Sequence, residues 1–185
     1  LNAYTGDIIK RFVYDTSKTE SKTGSTYTHT NPDFLYCFAA TPAALDYDNN
    51  GLTDYLYMAE SGDYTGTSDQ GGRIWKVNVN GDPAGWEPVN IYQAPDGQTL
   101  WLPPTLGYDS DYNLWLFLGT GHRPQPNNAN NVTGQFVGII DSSLSSTLTN
   151  TNLTDATALW TGTDTTVSSG FWFDYTEGTG ETIFE

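Results

Sequence analysis

Basic residues are scarce in this chain: seven lysines and arginines stand against 22 aspartates and glutamates, for a formal charge of −15. Such a surface repels phosphate backbones and anionic lipid headgroups, which makes nucleic acid and membrane surfaces poor partners. Divalent cations are what it attracts. Cysteine is almost absent as well. The single Cys37 rules out an internal disulfide, and its setting in "FLYCFAA" reads as a small buried hydrophobe, with no Cys-x-x-Cys spacing or nearby histidine to build a metal or redox site. No run of 18 apolar residues occurs, so no helical membrane span is expected. A starting Met and a basic, apolar leader are missing too; the chain opens at "LNAYTGDIIKRF" as if in mid-element, the expectation for a mature or excised fragment. Little Lys beside much Thr, Asn, Ser, Gly and Tyr suits the surface of an extracellular β protein.

Helical periodicity is the next absence. No window keeps apolar residues at i, i+3, i+4 and i+7 for long. Strand-length runs that alternate or are apolar recur instead at 8–13, 34–39, 55–59, 73–79, 89–92, 114–118, 136–140 and 171–175, separated by Gly, Asn, Asp, Pro and Thr clusters. An all-β fold follows, and 185 residues at 37% hydrophobic content suffice for one packed domain or part of a larger one. The least hydrophobic stretches, 15–31 and 147–157, read as insertions or loops; as a division of the chain, polar insertions are expected near 15–31, 61–71 and 142–157.

An internal repeat refines the class. "PAALDYDNNGLTDYLYMAESG" lies over "PPTLGYDSDYNLWLFLGTG" with Leu45 on Leu106 and Tyr47-Asp48 on Tyr108-Asp109. Each copy runs as a Pro-entered strand, an acidic turn, an aromatic strand ending near Gly, a long loop and a further strand, "GRIWKVNVN" or "QFVGIIDSS". Four-stranded blades in radial repetition give this pattern. The expectation is a single β-propeller segment over 1–185, with about two complete blades plus partial ones, the opening residues forming a Thr-Gly turn and an outer strand. A β-sandwich is the second architecture that short strands and turn signals fit.

The loop "DYDNNGLTD" carries the chemistry. Calcium takes 6–8 oxygens at about 2.3–2.6 Å, and a loop supplies them when oxygen-bearing side chains recur at every second residue while the backbone curls round the ion. Asp46, Asp48 and Asn50 fall at positions 1, 3 and 5, Gly51 at the sharp turn of position 6, the Leu52 carbonyl at position 7 and Asp54 at position 9. Position 12 is Tyr57 where a helix-flanked loop has Glu, so Asp54, water or a carboxylate from elsewhere such as Glu60 would complete the shell. The competing reading is an Asx-rich turn whose side chains bond their own backbone. Three carboxylates at this spacing repel one another, which favours the cation. The second copy has Asp109, Asp111 and Asn113 at the same alternation but is followed by Leu114, Trp115 and Phe117 where Gly and Asp are needed, and reads as an ordinary turn.

In order along the chain, "LNAYTGDIIKRF", "PAALDYDNNGLTDYLYMAESG", "GGRIWKVNVN", "WLPPTL", "LFLGTGH" and "GFWFDYTEGTGE" resemble the C-terminal β-propeller of the PilC/PilY-type proteins of type IV pili. The resemblance implies a modified quinoprotein-like propeller whose calcium loop is tied to surface attachment and to pilus extension and retraction. Carried over by position, the ligands would be Asp46, Asp48, Asn50, Leu52 through its carbonyl, and Asp54. It also implies an extracellular or cell-surface location and, as partners, pilus subunits, the remaining blades and a host or surface ligand. The chain departs from that pattern in its long "YMAESGDYTGTSDQGG" connection and lacks the adhesive N-terminal region of such proteins.

Two other classes share parts of this pattern. Quinoprotein dehydrogenases build tryptophan-bearing propellers and hold calcium beside their cofactor, but Trp75, Trp101, Trp115, Trp160 and Trp172 sit at positions that suit packing between sheets. His29, in a polar insertion, and His122, after "GTG", show no carboxylate or serine partner in a nucleophilic arrangement, so no catalytic constellation is expected. FG-GAP-type adhesion propellers have similar loops and fit the terminal motifs less well. Asn131-Val132-Thr133 and Asn152-Leu153-Thr154 match the glycosylation acceptor pattern and read as polar loop residues.

Overall fold

A computed structural model of the chain describes residues 5–63, 70–121, 133–141, 146–157 and 167–174. Among the described residues every regular element is a strand, apart from two single 3-10 turns at Pro83–Gly85 and Asn150–Asn152. The all-β expectation is met. The strands are β1 Lys10–Tyr14, β2 Thr19–Thr23, β3 Thr26–Asn31, β4 Ala43–Leu45, β5 Tyr55–Glu60, β6 Arg73–Asn78, β7 Pro88–Gln93, β8 Thr105–Tyr108, β9 Leu114–Gly119, β10 Gln135–Ile140, β11 Thr154–Asp155 and β12 Gly170–Asp174.

They form three open sheets. The central sheet is an antiparallel meander, β4-β5-β6-β7. The second has the order β11-β12-β10-β9-β8, its four long strands antiparallel and β11 added in parallel at the edge. The third, β1-β3-β2, pairs β1 with β3 in parallel and β2 with β3 as a hairpin. As expected, Tyr55 and Leu114 open the second strands of separate antiparallel sheets, and Trp75 and Phe136 stand on the third strands.

Four sequence readings change. The stretch 15–31 contains the β2–β3 hairpin, because threonine alternates with Tyr27 and His29 after a Gly24-Ser25 turn with Gly24 at φ 61° and recurs at Thr19 and Thr23 before it, and β-branched side chains favour strand even when polar. The run 34–39 forms no strand: Phe34 alone turns inward against Trp75, at 4.9 Å between ring centroids. Cys37 is exposed and donates to Ser61 Oγ at 3.4 Å, so it is not the buried hydrophobe its neighbours suggested. The repeat register also shifts, for Ala44 and Leu106 lie opposite Leu56 and Leu116, while Leu45 and Gly107 lie opposite Tyr55 and Trp115.

Strand period 2 decides which side chains meet. From the central sheet Tyr57, Ala59, Ile74 and Tyr92 enter one core with Leu114, Leu116, Leu118, Val137 and Ile139 of the second sheet. Each fully buried aliphatic side chain here contributes about 1.5–3 kcal/mol. The two sheets use different faces for this contact. Tyr55 pairs with Asn78 and Trp115 with Ile140, each followed by an N–H from Val79 or Asp141 to the carbonyl before it, so Tyr55, Tyr57 and Ile74 correspond to Trp115, Phe117 and Phe136. The central sheet therefore buries its Tyr55–Tyr57 face on the side of the second sheet that does not carry Trp115 and Phe117. This is a head-to-tail arrangement, not a mirror-like sandwich.

A polar clasp closes one end of the contact. Asp141, which follows β10, accepts hydrogen bonds through Oδ2 from the Tyr57 hydroxyl and the Lys76 ammonium, both at 2.6 Å. Burial, then the Asp141 bond, keeps the Tyr57 hydroxyl protonated. Tyr57→Phe should cost about 1–3 kcal/mol in chemical denaturation, because a buried carboxylate oxygen loses a partner. The same change at exposed Tyr108 should cost next to nothing, and equal losses at the two sites would refute the clasp.

Candidate metal site

The loop 46–54 joins β4 to β5, and its winding is set by two left-handed residues, Asn49 at φ 58° and Gly51 at φ 87°. Asparagine and glycine are the residues that enter this region at least cost. The curl turns backbone donors toward the side chains. Gly51 N–H reaches Asp46 Oδ2 at 2.7 Å, Asn50 N–H lies 3.1 Å from both Asp46 Oδ1 and Asp48 Oδ1, and Leu52 N–H reaches Asn50 Oδ1 at 2.8 Å. Tyr47 N–H donates to Asp54 Oδ2 at 2.8 Å.

These bonds gather the acids. Asp46, Asp48 and Asp54 each offer a carboxylate oxygen within 4.8 Å of the others, with Asp54 6% exposed and Asp48 open to solvent. A carboxylate has about four lone-pair positions, so oxygens that accept one or two N–H groups keep capacity for a cation. Asn50 lies in the same curl, its Nδ2 bonded to Asp48 Oδ2 at 2.9 Å. Leu52 is exposed, with its N–H committed to Asn50. Glu60, named as a possible further ligand, is at the far end of β5, about 16 Å along a strand that rises about 3.3 Å per residue, and does not belong to this group.

Asp54 is the structural centre of the loop. Its N–H donates to Leu45 O at 2.8 Å and its carbonyl accepts from Val79 N–H at 2.8 Å, while Oδ1 accepts from Asn80 Nδ2 at 3.1 Å. The other acids are held only by the loop itself.

The turn between β8 and β9 is built differently. Asp109 gathers Asp111 N–H, Asn113 N–H, Asn113 Nδ2 and Trp115 Nε1 at 2.8–2.9 Å, with Tyr112 at φ 62°. The indole bond, then those from Asn113, hold the Asp109 carboxyl down at about 2. One acid collects every donor here, and Asp111 faces solvent apart from it.

Two arrangements were invisible in the sequence. His29, 1% exposed, stands opposite Glu20 in the β2–β3 hairpin, with Nδ1 2.5 Å from Glu20 Oε1, and Lys10 Nζ lies 2.7 Å from Glu20 Oε2. The signal for this pair was the alternation of Glu20, Lys22, Tyr27 and His29 about a Gly-Ser turn. His122 lies outside the described residues, as do Trp160, Asn131, Val132 and, of the expected insertions at 61–71 and 142–157, residues 64–69 and 142–145. Glu60 is fully buried and accepts from Tyr36 N–H and Trp75 Nε1, both at 2.8 Å, with Arg73 Nη1 at 3.6 Å. That places Trp75 in packing, against Phe34 on one side and Glu60 on the other. A concavity of about 610 Å³ beside it is lined by Lys18, Asp33, Arg73, Glu87 and Asn90, but Lys18 pairs with Glu87 and Arg73 bonds Gln93, Gln70 and the Asp33 carbonyl.

No family model, no curated protein and no solved structure matches this chain.

Burial raises the Glu60 carboxyl pKa against the opposing pull of Trp75, Tyr36 and Arg73. A carboxyl raised on folding binds its proton more tightly in the native state, so its share of stability is full at low pH and falls as pH rises from the ordinary carboxyl range through the raised native value. Denaturation of wild type and Glu60→Gln across pH 4–8 should show wild type losing stability relative to the variant as pH increases. The amide's loss of one accepted bond is a constant offset, and a difference that grew in the opposite direction would refute the assignment.

Proposed function

We propose that the chain is a calcium-binding segment of a β-propeller, and that it serves a surface adhesin or assembly protein of the PilC/PilY type on type IV pili. The observation that carries the calcium reading is the convergence of Asp46, Asp48 and Asp54 within 4.8 Å in a loop already wound by its own N–H groups. Hard oxygen donors and a carboxylate-rich loop suit Ca²⁺ above softer metals. Asp46, Asp48, Asn50 and Asp54 would bind through side chains and Leu52 through its carbonyl. The ion would offset the repulsion of the three carboxylates and fix the loop against the ends of β5 and β6.

The propeller reading is supported by the head-to-tail packing of the two meanders. An interface in which each unit uses a different face closes into a ring when its rotation permits, and radial closure is the propeller solution. The pilus assignment rests on the ordered motifs of the sequence. On that reading the protein is displayed at the bacterial surface, its partners are pilus subunits and a surface ligand, and calcium sets the shape of a binding scaffold that governs attachment, extension and retraction. No turnover chemistry is assigned to it.

Isothermal calorimetry with CaCl₂ on the purified chain tests the site. Binding should be present in wild type and lost in Asp46→Ala and Asp48→Ala, while Asp109→Ala retains it. Calcium at 100 times its dissociation constant should add about 2.7 kcal/mol of stability, removed by chelator. A folded sample that takes up no calcium at millimolar concentration would reduce the loop to an Asx-rich turn.

A further inference from the structure

The second sheet has a face that the rest of the described chain does not cover. Trp115 and Phe117 of β9, Phe136 of β10, and Phe171 and Phe173 of β12 share it and remain half-exposed, with Trp115 parallel to Phe117 within 3° at 5.8 Å and Phe136 against Phe173 at 5.3 Å. Rings this close and this parallel are offset-stacked. They form one continuous ladder across three strands, and it lies over Gly138, where the Phe171 ring would stand 2.8 Å from any added Cβ. A groove of about 220 Å³ opens beside the ladder above Gly107, between Tyr108, Trp115 and Phe117. A contiguous aromatic face of this kind marks an interaction surface.

The repeat identifies what covers it. By strand register, Trp115, Phe117 and Phe136 are the counterparts of Tyr55, Tyr57 and Ile74, and in the central sheet that face is buried by the aliphatic side of the next sheet, Leu114, Leu116, Leu118, Val137 and Ile139. The aromatic face therefore continues an interface already present once in the molecule. We propose that it is the docking surface for a further antiparallel sheet of the same protein, which presents alternating leucine, isoleucine and valine side chains and puts one apolar side chain into the groove above Gly107. The inference rests on the repeated-sheet part of the proposed function and is independent of calcium.

The differences between the two faces add a chemical requirement. In the central sheet Tyr57 and Lys76 both bond Asp141 of the covering sheet, whereas their counterparts here are Phe117 and Gly138, which have no polar side-chain group to offer. A carboxylate brought to the same place would be buried without a partner, at a cost of several kcal/mol. The covering sheet accordingly carries an uncharged residue where the second sheet carries Asp141.

The test is photo-crosslinking in the protein as its gene encodes it, with p-benzoylphenylalanine incorporated at position 117 and, separately, at position 173, and adducts mapped by mass spectrometry. Position 112, at an 86% exposed turn, is the negative control. Support is an adduct within the same polypeptide on alternate apolar residues of a strand outside the described sheets, formed from 117 or 173 and not from 112. Adducts between two copies, adducts to β1–β3, or none at all from a folded variant would overturn the proposal. Melting curves identify the folded variants, and because the two sites are on different strands, one serves if the other disturbs folding. Calcium calorimetry reads the other proposal separately, since a chain that binds no calcium can still form these adducts.

Discussion

The contact between the central and second sheets holds the molecule together, and its asymmetry is its governing property. One side gives tyrosines and an isoleucine, the other gives leucines, a valine and an isoleucine, and both sets are removed from water. The central sheet is covered on its other face too, where Trp75 and Val77 are buried, whereas the aromatic face of the second sheet is half-exposed among the described residues. The contact between the sheets positions the strand ends that carry the loops. The acidic loop projects from one end of a sheet whose opposite face is fixed by Phe34 against Trp75.

Polar groups buried at the rim of this contact give it a register. Asp141 meets Tyr57 and Lys76 across 84 and 65 residues of sequence. Hydrophobic faces alone slide with little penalty. A buried carboxylate that finds its donors in one alignment does not, because any slip leaves the charge unsatisfied.

What could be read from the sequence follows the range over which each feature acts. Strands β5, β6, β9 and β10 were legible because alternation of apolar side chains is a local pattern, and the acids Asp46, Asp48 and Asp54 could be grouped because their spacing lies within nine residues. The β2–β3 hairpin was not read as strand, since its alternation is of threonine with tyrosine and histidine and carries no hydrophobic signal. The opposite error occurred at 34–39, where apolar composition suggested a strand but only Phe34 has a core to enter. The pairing of Glu20 with His29 follows from the register of that hairpin and went unread with it, whereas the pairing of Asp141 with Tyr57 belongs to tertiary structure, and no spacing rule exposes it. The repeat was visible, yet its register in the first strand was off by one residue because the two turns differ in length.

Asp54 also gives the central sheet a direction of mechanical strength. Through its N–H, its carbonyl and both carboxylate oxygens it joins the ends of β4 and β6 and the loop between β4 and β5. A pull on the chain at this end loads those bonds together, so they share the force and must fail as a group. A sheet built this way is stiff when tension enters beside the acidic loop.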